Sequence, residues 1–311
     1  MAVGRFAPSP SATLHLGNLR TALVAWLFAR HAGSDFLLRI EDLDQASARP
    51  EHEASAIDHL SRVGIDWDGP IVRQSERRDL HEDALATLTA AGRTYPCYCS
   101  RREMLAEAHA AIAAPHGPAA PIGYPGTCRD LSTRGRSERE AQGRKPSLRL
   151  RAEAAEMSFV DQLVGPVSGI VDDFVVRRAD GMPAYNVVVV VDDHDQGIGE
   201  VVRGDDLVST TPRQLLVARM LGFESPTYAH VPLVLDPEGE RLAKRHGAVT
   251  LDDQNSLGRS DAEILTILAA SLGLADVGEP VTKEVLVERF TIEGLPSGPW
   301  ILPRNLLEPV T

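Results

Sequence analysis

The sequence predicts an α/β protein built on a parallel sheet, with a metal-binding insertion in its middle and a short helical appendix at its end. Three observations carry that expectation. The segment from Ala2 to Ile40 runs strand, helix, strand at the spacing of a βαβ unit. All three cysteines of the 311-residue chain fall in one stretch rich in Ala, Pro and Gly. Beyond Leu251 the pattern is mainly helical, with loops near Gly258, Gly278 and Gly294.

The elements follow in order. "AVGRFA" is a short strand that ends at a Pro-containing turn. From Leu16 the apolar residues Leu19, Leu23, Trp26 and Leu27 keep the helical period, and Gly33 is a stop. Extra apolar residues between Ala22 and Ala29 predict a helix buried on more than one side. "DFLLRI" is the next strand, parallel to the first because a helix connects the two. Ligands of such sheets bind at the carboxyl ends of the strands, so the Pro-rich loop and Glu41 share one rim. Residues 51–64 and 79–92 read as amphipathic helices with Gly ends. "FVVRR" and "YNVVVVVDD" read as strands, the second β-branched almost throughout, as in a strand covered on both faces. "TPRQLLVARMLGF" is a further helix with a Gly stop.

With 43% hydrophobic and 24% charged residues the composition is that of an ordinary globular protein. The longest apolar run, Ala22 to Ala29, is too short to span a bilayer, and no secretory pattern opens the chain, so a cytoplasmic protein is expected. A net charge of −12 weighs against a purely electrostatic nucleic-acid binder. One local basic span exists, comprising Arg129, Arg134, Arg136, Arg139, Arg144, Lys145, Arg149 and Arg151, diluted by Asp130, Glu138 and Glu140. Cys97, Cys99 and Cys128 are an odd, clustered set, which suggests a metal site rather than a disulfide framework. Three thiolates suit four-coordinate structural zinc, with His109 and His116 as candidate fourth ligands.

Two further segments have the makings of a nucleotide site. In "APSPSATLHLGNLRTAL" a helix N-terminus offers unpaired N–H groups to phosphate, Gly17 allows close backbone approach, and His15 and Asn18 add side-chain donors. In "GERLAKRHGAVTL" Lys244 lies on a basic, Gly-flanked loop suited to neutralising phosphate charge in a transition state. Taken singly, each is as readily a capped helix or a solvated charge run.

Together they carry more. "RFAPSPSATLHLGNLRTAL" resembles the opening of the glutamyl group of class I aminoacyl-tRNA synthetases, with "HLGN" in place of its HIGH-type signature, and "RLAKR" resembles its KMSKS-type signature. "RIEDLD", "PAYNVVVVVDD", "VVRGDDLVSTTPRQ" and "YAHVPLVLDPEGERLAKRHG" match the same family in the same order. The resemblance implies a Rossmann-like catalytic domain in two halves, residues 1–94 and 148–251. Between them lies an acceptor-type, zinc-bearing insertion, residues 95–147, and a helical appendix follows over 252–311. It implies attack of the glutamate α-carboxylate on the α-phosphorus of ATP, with Mg²⁺ accompanying ATP. His15, Gly17, Asn18 and Lys244 would hold ATP, with His15 and Lys244 catalytic. Glutamate would lie among Arg5, Phe6, Ala7, Pro8, Ser9, Glu41, Tyr185 and Arg203: Glu41 for the ammonium, Arg5 and Arg203 as forks for carboxylate, Tyr185 as a further donor. The chain departs from the family at Ser11-Ala12, where Thr-Gly is usual, and at Ala243, where serine is common.

Within that group the segment after Lys244 has room for a short appendix but not for an anticodon-binding module. "CYC" followed by "YPGTC" resembles the metal site of the truncated paralogues, the glutamyl-queuosine tRNA(Asp) synthetases, which would make Tyr124 the fourth ligand beside Cys97, Cys99 and Cys128. That resemblance implies tRNA-independent glutamate activation and transfer to queuosine in the anticodon of tRNA(Asp), by a monomer. The alternatives are a truncated enzyme charging tRNA(Glu), or a non-catalytic paralogue that binds tRNA or nucleotide.

Overall fold

The computed structural model describes residues 2–100, 102–103, 124–242 and 249–310. Strand β1 (Gly4–Phe6), helix α1 (Leu16–His31) and strand β2 (Phe36–Ile40) form the expected unit, with Gly4 opposite Phe36 and Phe6 opposite Leu38 in parallel register. Helix α1 begins where His15 and Asn18 cap each other and stops before Gly33, whose φ of 65° suits glycine. It is buried along nearly its whole length, as the apolar excess predicted. Helix α2 (Pro50–Arg62) then leads to β3 (Val72–Arg73), which pairs in parallel with the far side of β2.

Helix α3 (Arg78–Ala90) is followed by β4 (Thr94–Cys97), α4 (Thr133–Ala141), β5 (Ser147–Leu150), the hairpin β6 (Glu156–Asp161) and β7 (Gly165–Ile170), and β8 (Val175–Arg177). Strands β4, β5 and β8 make a small antiparallel sheet that carries the cysteine segment. Next come α5 (Tyr185–Asp195), β9 (Glu200–Gly204), α6 (Thr211–Leu221), β10 (Thr227–Val231) and β11 (Val234–Leu235). The end of the chain supplies α7 (Leu251–Ser256), α8 (Asp261–Ser271), α9 (Lys283–Arg289) and β12 (Trp300–Ile301), which pairs with β11. None of the helices among the described residues is long and apolar enough to cross a membrane.

Strand β9 pairs in parallel with β10, and β10 with β6. Val3 joins this sheet to the first: it bridges Ile198 in parallel, and its carbonyl accepts from Gly199 N at 3.0 Å and Glu200 N at 3.2 Å. The order across the join is β3-β2-β1-β9-β10-β6-β7. The chain therefore leaves β1 on one side toward β2 and returns on the other at β9, which creates a topological switch point between β1 and β9.

The valine run corrects one expectation. "YNVVVVVDD" is helix α5, not a strand. Val187 to Val191 are all buried, and all but Val188 pack in one cluster with residues of α3, α6, β5 and β8. An element covered on every side has no alternation to distinguish strand from helix, and packing outweighs the β-preference of valine. The consequence reaches the site, because Asp192 and Asp193 ride on the same helix.

The appendix is fastened to the catalytic layer through α1. Phe28 and Phe290 meet edge to face at 5.2 Å. The buried Arg20 guanidinium donates to Ser271 Oγ at 3.0 Å and to the Pro232 carbonyl at 3.0 Å.

Candidate active site and metal centre

A cleft of about 570 Å³ opens at the switch point. Arg5, Phe6, Ala7, Pro8, Ser9, His15, Gly17, Asn18, Glu41, Tyr185 and Arg203 all line it, so these sequence-predicted residues meet in one place. Lys244 lies outside the described residues. Its flanks do not: Arg241 and Leu242 line the cleft, Arg241 is ion-paired with Asp206, and Val249 accepts from Leu16 N at 2.8 Å.

The charged side of the cleft is held by α5. Asp193 Oδ1 accepts from Arg5 Nε at 3.3 Å and from Arg39 Nη2 at 2.8 Å, and Arg5 Nη1 donates to the Val202 carbonyl at 3.3 Å. Asp192 is held by Gln74 Nε2, Arg77 Nε and His81 Nε2 at 2.9, 2.8 and 2.9 Å. Arg39 Nη2 stands 3.9 Å from Glu41. Burial outweighs the attraction of Arg39 and Arg5, and the Glu41 carboxyl is raised to about 7. Tyr185 stands at the mouth, its phenol pushed up by desolvation and by Glu41. Arg39, Asp192 and Asp193 were not singled out from the sequence. The signal for Arg39 was period-two placement on the face of Glu41; the aspartates were masked by reading their helix as a strand.

Arg203 differs from Arg5 in its partners. Its Nε donates to His230 Nε2 at 3.1 Å and its Nη2 to Thr211 Oγ1 at 2.9 Å. No described carboxylate lies within ion-pairing distance of it, and buried Nη1 has no hydrogen-bond partner among the described residues. A buried cation held only by neutral acceptors is suited to meeting an anion.

The opposite side of the cleft is the start of α1. Asn18 N donates to His15 Nδ1 at 3.2 Å while His15 N donates to Asn18 Oδ1 at 3.0 Å. Because Nδ1 accepts, the imidazole proton sits on Nε2. Burial, reinforced by the Arg241 charge, lowers the His15 pKa and keeps the ring neutral. Asn18 thus spends its carbonyl on the cap. A Cβ on Gly17 would come within 3.0 Å of the His15 ring and 3.2 Å of Val234 Cβ, so glycine is needed for this packing.

On the small sheet, one thiol sulfur each from Cys97, Cys99 and Cys128 lie within 4.8 Å of one another. Tyr124 Oη is 3.4 Å from Cys97 Sγ and 3.8 Å from Cys99 Sγ, and it accepts from Cys128 N at 2.8 Å. Burial and the neighbouring Cys97 push the Cys99 thiol up to about 12, an unfavourable setting for a thiolate that a bound cation would reverse. The donor set fits a soft, four-coordinate metal. His109 and His116, the rival ligands, lie outside the described residues. Part of the nearby basic span is paired with carboxylates. Arg129 pairs with Asp173 at 2.7 Å, Arg134 with Glu138 at 2.8 Å, Arg144 with Glu103 at 2.9 Å and Arg151 with Asp130 at 3.2 Å. Arg149 is buried, its guanidinium 3.8 Å above the Tyr124 ring.

Residues 1–309 match the family described as tRNA synthetases class I (E and Q), catalytic domain. The chain belongs to this family. A relative from Nocardia farcinica named "Glutamyl-Q tRNA(Asp) synthetase" is 55% identical, covering 98% of this chain and 95% of its own. One of the same name from Symbiobacterium thermophilum is 49% identical over 99% of this chain and 98% of its own. Among solved structures, a glutamate tRNA ligase from Elizabethkingia meningosepticum in complex with its amino acid superposes with a TM-score of 0.82 at 26% identity. That match covers 98% of this chain but 68% of the ligase. The class I synthetase family expected from the sequence is therefore the one that the chain matches.

The elevated Glu41 makes a prediction about stability. A carboxyl raised above its unfolded value of about 4.5 costs the fold nothing below that pH, a growing amount as pH rises toward 7, and the full amount above. Glu41→Gln should therefore melt a few degrees higher than the native protein at pH 8 and at the same temperature at pH 4. Equal melting temperatures at pH 8 would mean that Glu41 ionises freely in the cleft.

Proposed function

We propose that this chain activates L-glutamate with ATP, without tRNA, and transfers it to the queuosine base in the anticodon of tRNA(Asp), in the cytoplasm and as a monomer. The observation that carries the reading is the near end-to-end match to relatives named glutamyl-Q tRNA(Asp) synthetase, at 55% and 49% identity. The glutamate tRNA ligase covers the same catalytic fold within a longer chain, which gives tRNA(Glu) charging the weaker support.

The cleft supplies a mechanism. Glutamate presents two carboxylates and an ammonium. Arg203, without a counter-ion among the described residues, and Arg5, sharing Asp193 with Arg39, offer the carboxylates forked donors; Glu41 offers the ammonium an anion. The loop before α1 and the Nε2–H of His15 face phosphate, and the segment bearing Lys244 enters and leaves beside that loop. The glutamate α-carboxylate oxygen attacks the ATP α-phosphorus and pyrophosphate departs with its charge stabilised by His15 and Lys244. The rate gain is positioning plus electrostatics, with Mg²⁺ arriving on the ATP phosphates. No covalent bond to the protein is needed. A zinc ion held by Cys97, Cys99, Cys128 and Tyr124 would pin the insertion and take no part in these steps.

Three outcomes are expected. The protein catalyses glutamate-dependent ATP–pyrophosphate exchange with no tRNA present, and leaves alkali-labile glutamate on queuosine-containing tRNA(Asp) but not on tRNA(Asp) lacking queuosine. Exchange that requires tRNA, with label on tRNA(Glu), contradicts the acceptor; no exchange under either condition contradicts the activity. Lys244→Ala lowers kcat for exchange about 100-fold with KM for ATP little changed; a raised KM at unchanged kcat would assign Lys244 to ground-state binding instead. Metal analysis of the purified protein finds zinc at about one ion per chain, and Cys99→Ser loses it. A zinc-free native protein would refute that site.

A further inference from the structure

Behind Arg203 lies a second, fully buried pair. Asp161, at the end of β6, accepts from His230 Nδ1 at 2.5 Å, and also from the backbone N–H groups of Leu163, Val164 and His230 at 3.0, 2.9 and 3.1 Å. Burial opposes its ionisation, but these four donors hold the Asp161 carboxyl below its ordinary range. Arg203 Nε can only donate, so His230 Nε2 must be the acceptor and the ring proton must sit on Nδ1, where Asp161 takes it. Thr211 Oγ1, 3.3 Å from His230 Nε2, completes the frame by accepting from Arg203 Nη2.

This arrangement is chemically selective. A carboxylate in place of His230 would orient the guanidinium equally well, yet it would neutralise the charge. A neutral imidazole fixes Nε and leaves both the charge and Nη1 uncommitted.

We infer that Asp161 and His230 are positioning residues for glutamate binding: Asp161 sets the tautomer of His230, and His230 holds Arg203 so that Nη1 and a guanidinium without a direct ion-pair partner meet a substrate carboxylate. The inference rests on the proposed reading of Arg203 as a carboxylate ligand.

The test is calorimetric binding of L-glutamate to the full chain, alongside KM values for glutamate and ATP in exchange. His230→Leu should weaken glutamate binding and raise its KM about 10-fold or more, with KM for ATP unchanged; His230→Gln, whose amide oxygen can accept from Arg203, should recover most of the loss. Asp161→Asn keeps an acceptor for the backbone donors but frees the tautomer, and should weaken glutamate binding with the melting temperature close to native. It serves alone if His230→Leu does not fold. Equal losses for ATP and glutamate, or unchanged glutamate affinity in Asp161→Asn, overturn the inference. Arg203→Leu separates the two levels. If it binds glutamate normally, the carboxylate reading of Arg203 falls and the pair falls with it; if it does not bind while His230→Leu does, only the pair falls.

Discussion

The guanidinium groups of Arg5, Arg39 and Arg203 lie buried at one sheet edge, and desolvating three like charges together is unfavourable unless each is given an anion or an acceptor. The fold answers that constraint unequally. Asp193 is shared between Arg5 and Arg39, Asp192 lies 3.9 Å from Arg39 Nε and is also tied to Gln74, Arg77 and His81, and among the described residues Arg203 receives only neutral acceptors. The Arg203 charge is thus held in place without an ion-pair partner, near a Glu41 that is kept from ionising freely. An amino acid with two carboxylates and an ammonium would balance both deviations together.

The second half of the site depends on the same edge. Strand β1 ends in the loop that becomes the cap of α1, so Arg5 and His15 are separated by one turn of chain and face one cleft. The bond from Leu16 N to Val249 O and the bridge between His15 and Thr250 bind the end of the Lys244 segment to that cap. The groups proposed to meet nucleotide and amino acid are therefore placed by a single short stretch of backbone. The appendix, fastened to α1 by Arg20 and Phe290, braces the helix whose first turn does this placing.

Much of this was legible in the sequence. Apolar periodicity from Leu16 and the stop at Gly33 are local properties, and they located the first βαβ unit and its rim. The predicted residues that line the cleft were legible as a set because the segments that carry them resemble a family in the same order; no single one announces itself. What stayed hidden is what depends on contacts across the chain. Val187 to Val191 carry strand preference, and only the surrounding layers make them a helix. Arg39, Asp192 and Asp193 look like ordinary surface charges until the sheet edge collects them. His230 and Thr211 acquire meaning only from the orientation of Arg203. The basic span from Arg129 to Arg151 shows the reverse, since four of its eight cations, Arg129, Arg134, Arg144 and Arg151, are paired with carboxylates within the chain.

The central claim is that the unbalanced charge at this edge is a glutamate receptor set against a nucleotide cradle. A crystal structure with L-glutamate and a non-hydrolysable ATP analogue tests it most directly. The account predicts both molecules in the β1–β9 cleft, glutamate carboxylates on Arg5 and Arg203, its ammonium on Glu41, and the phosphates against the His15 loop. Glutamate bound elsewhere, or with its carboxylates away from both arginines, would contradict it.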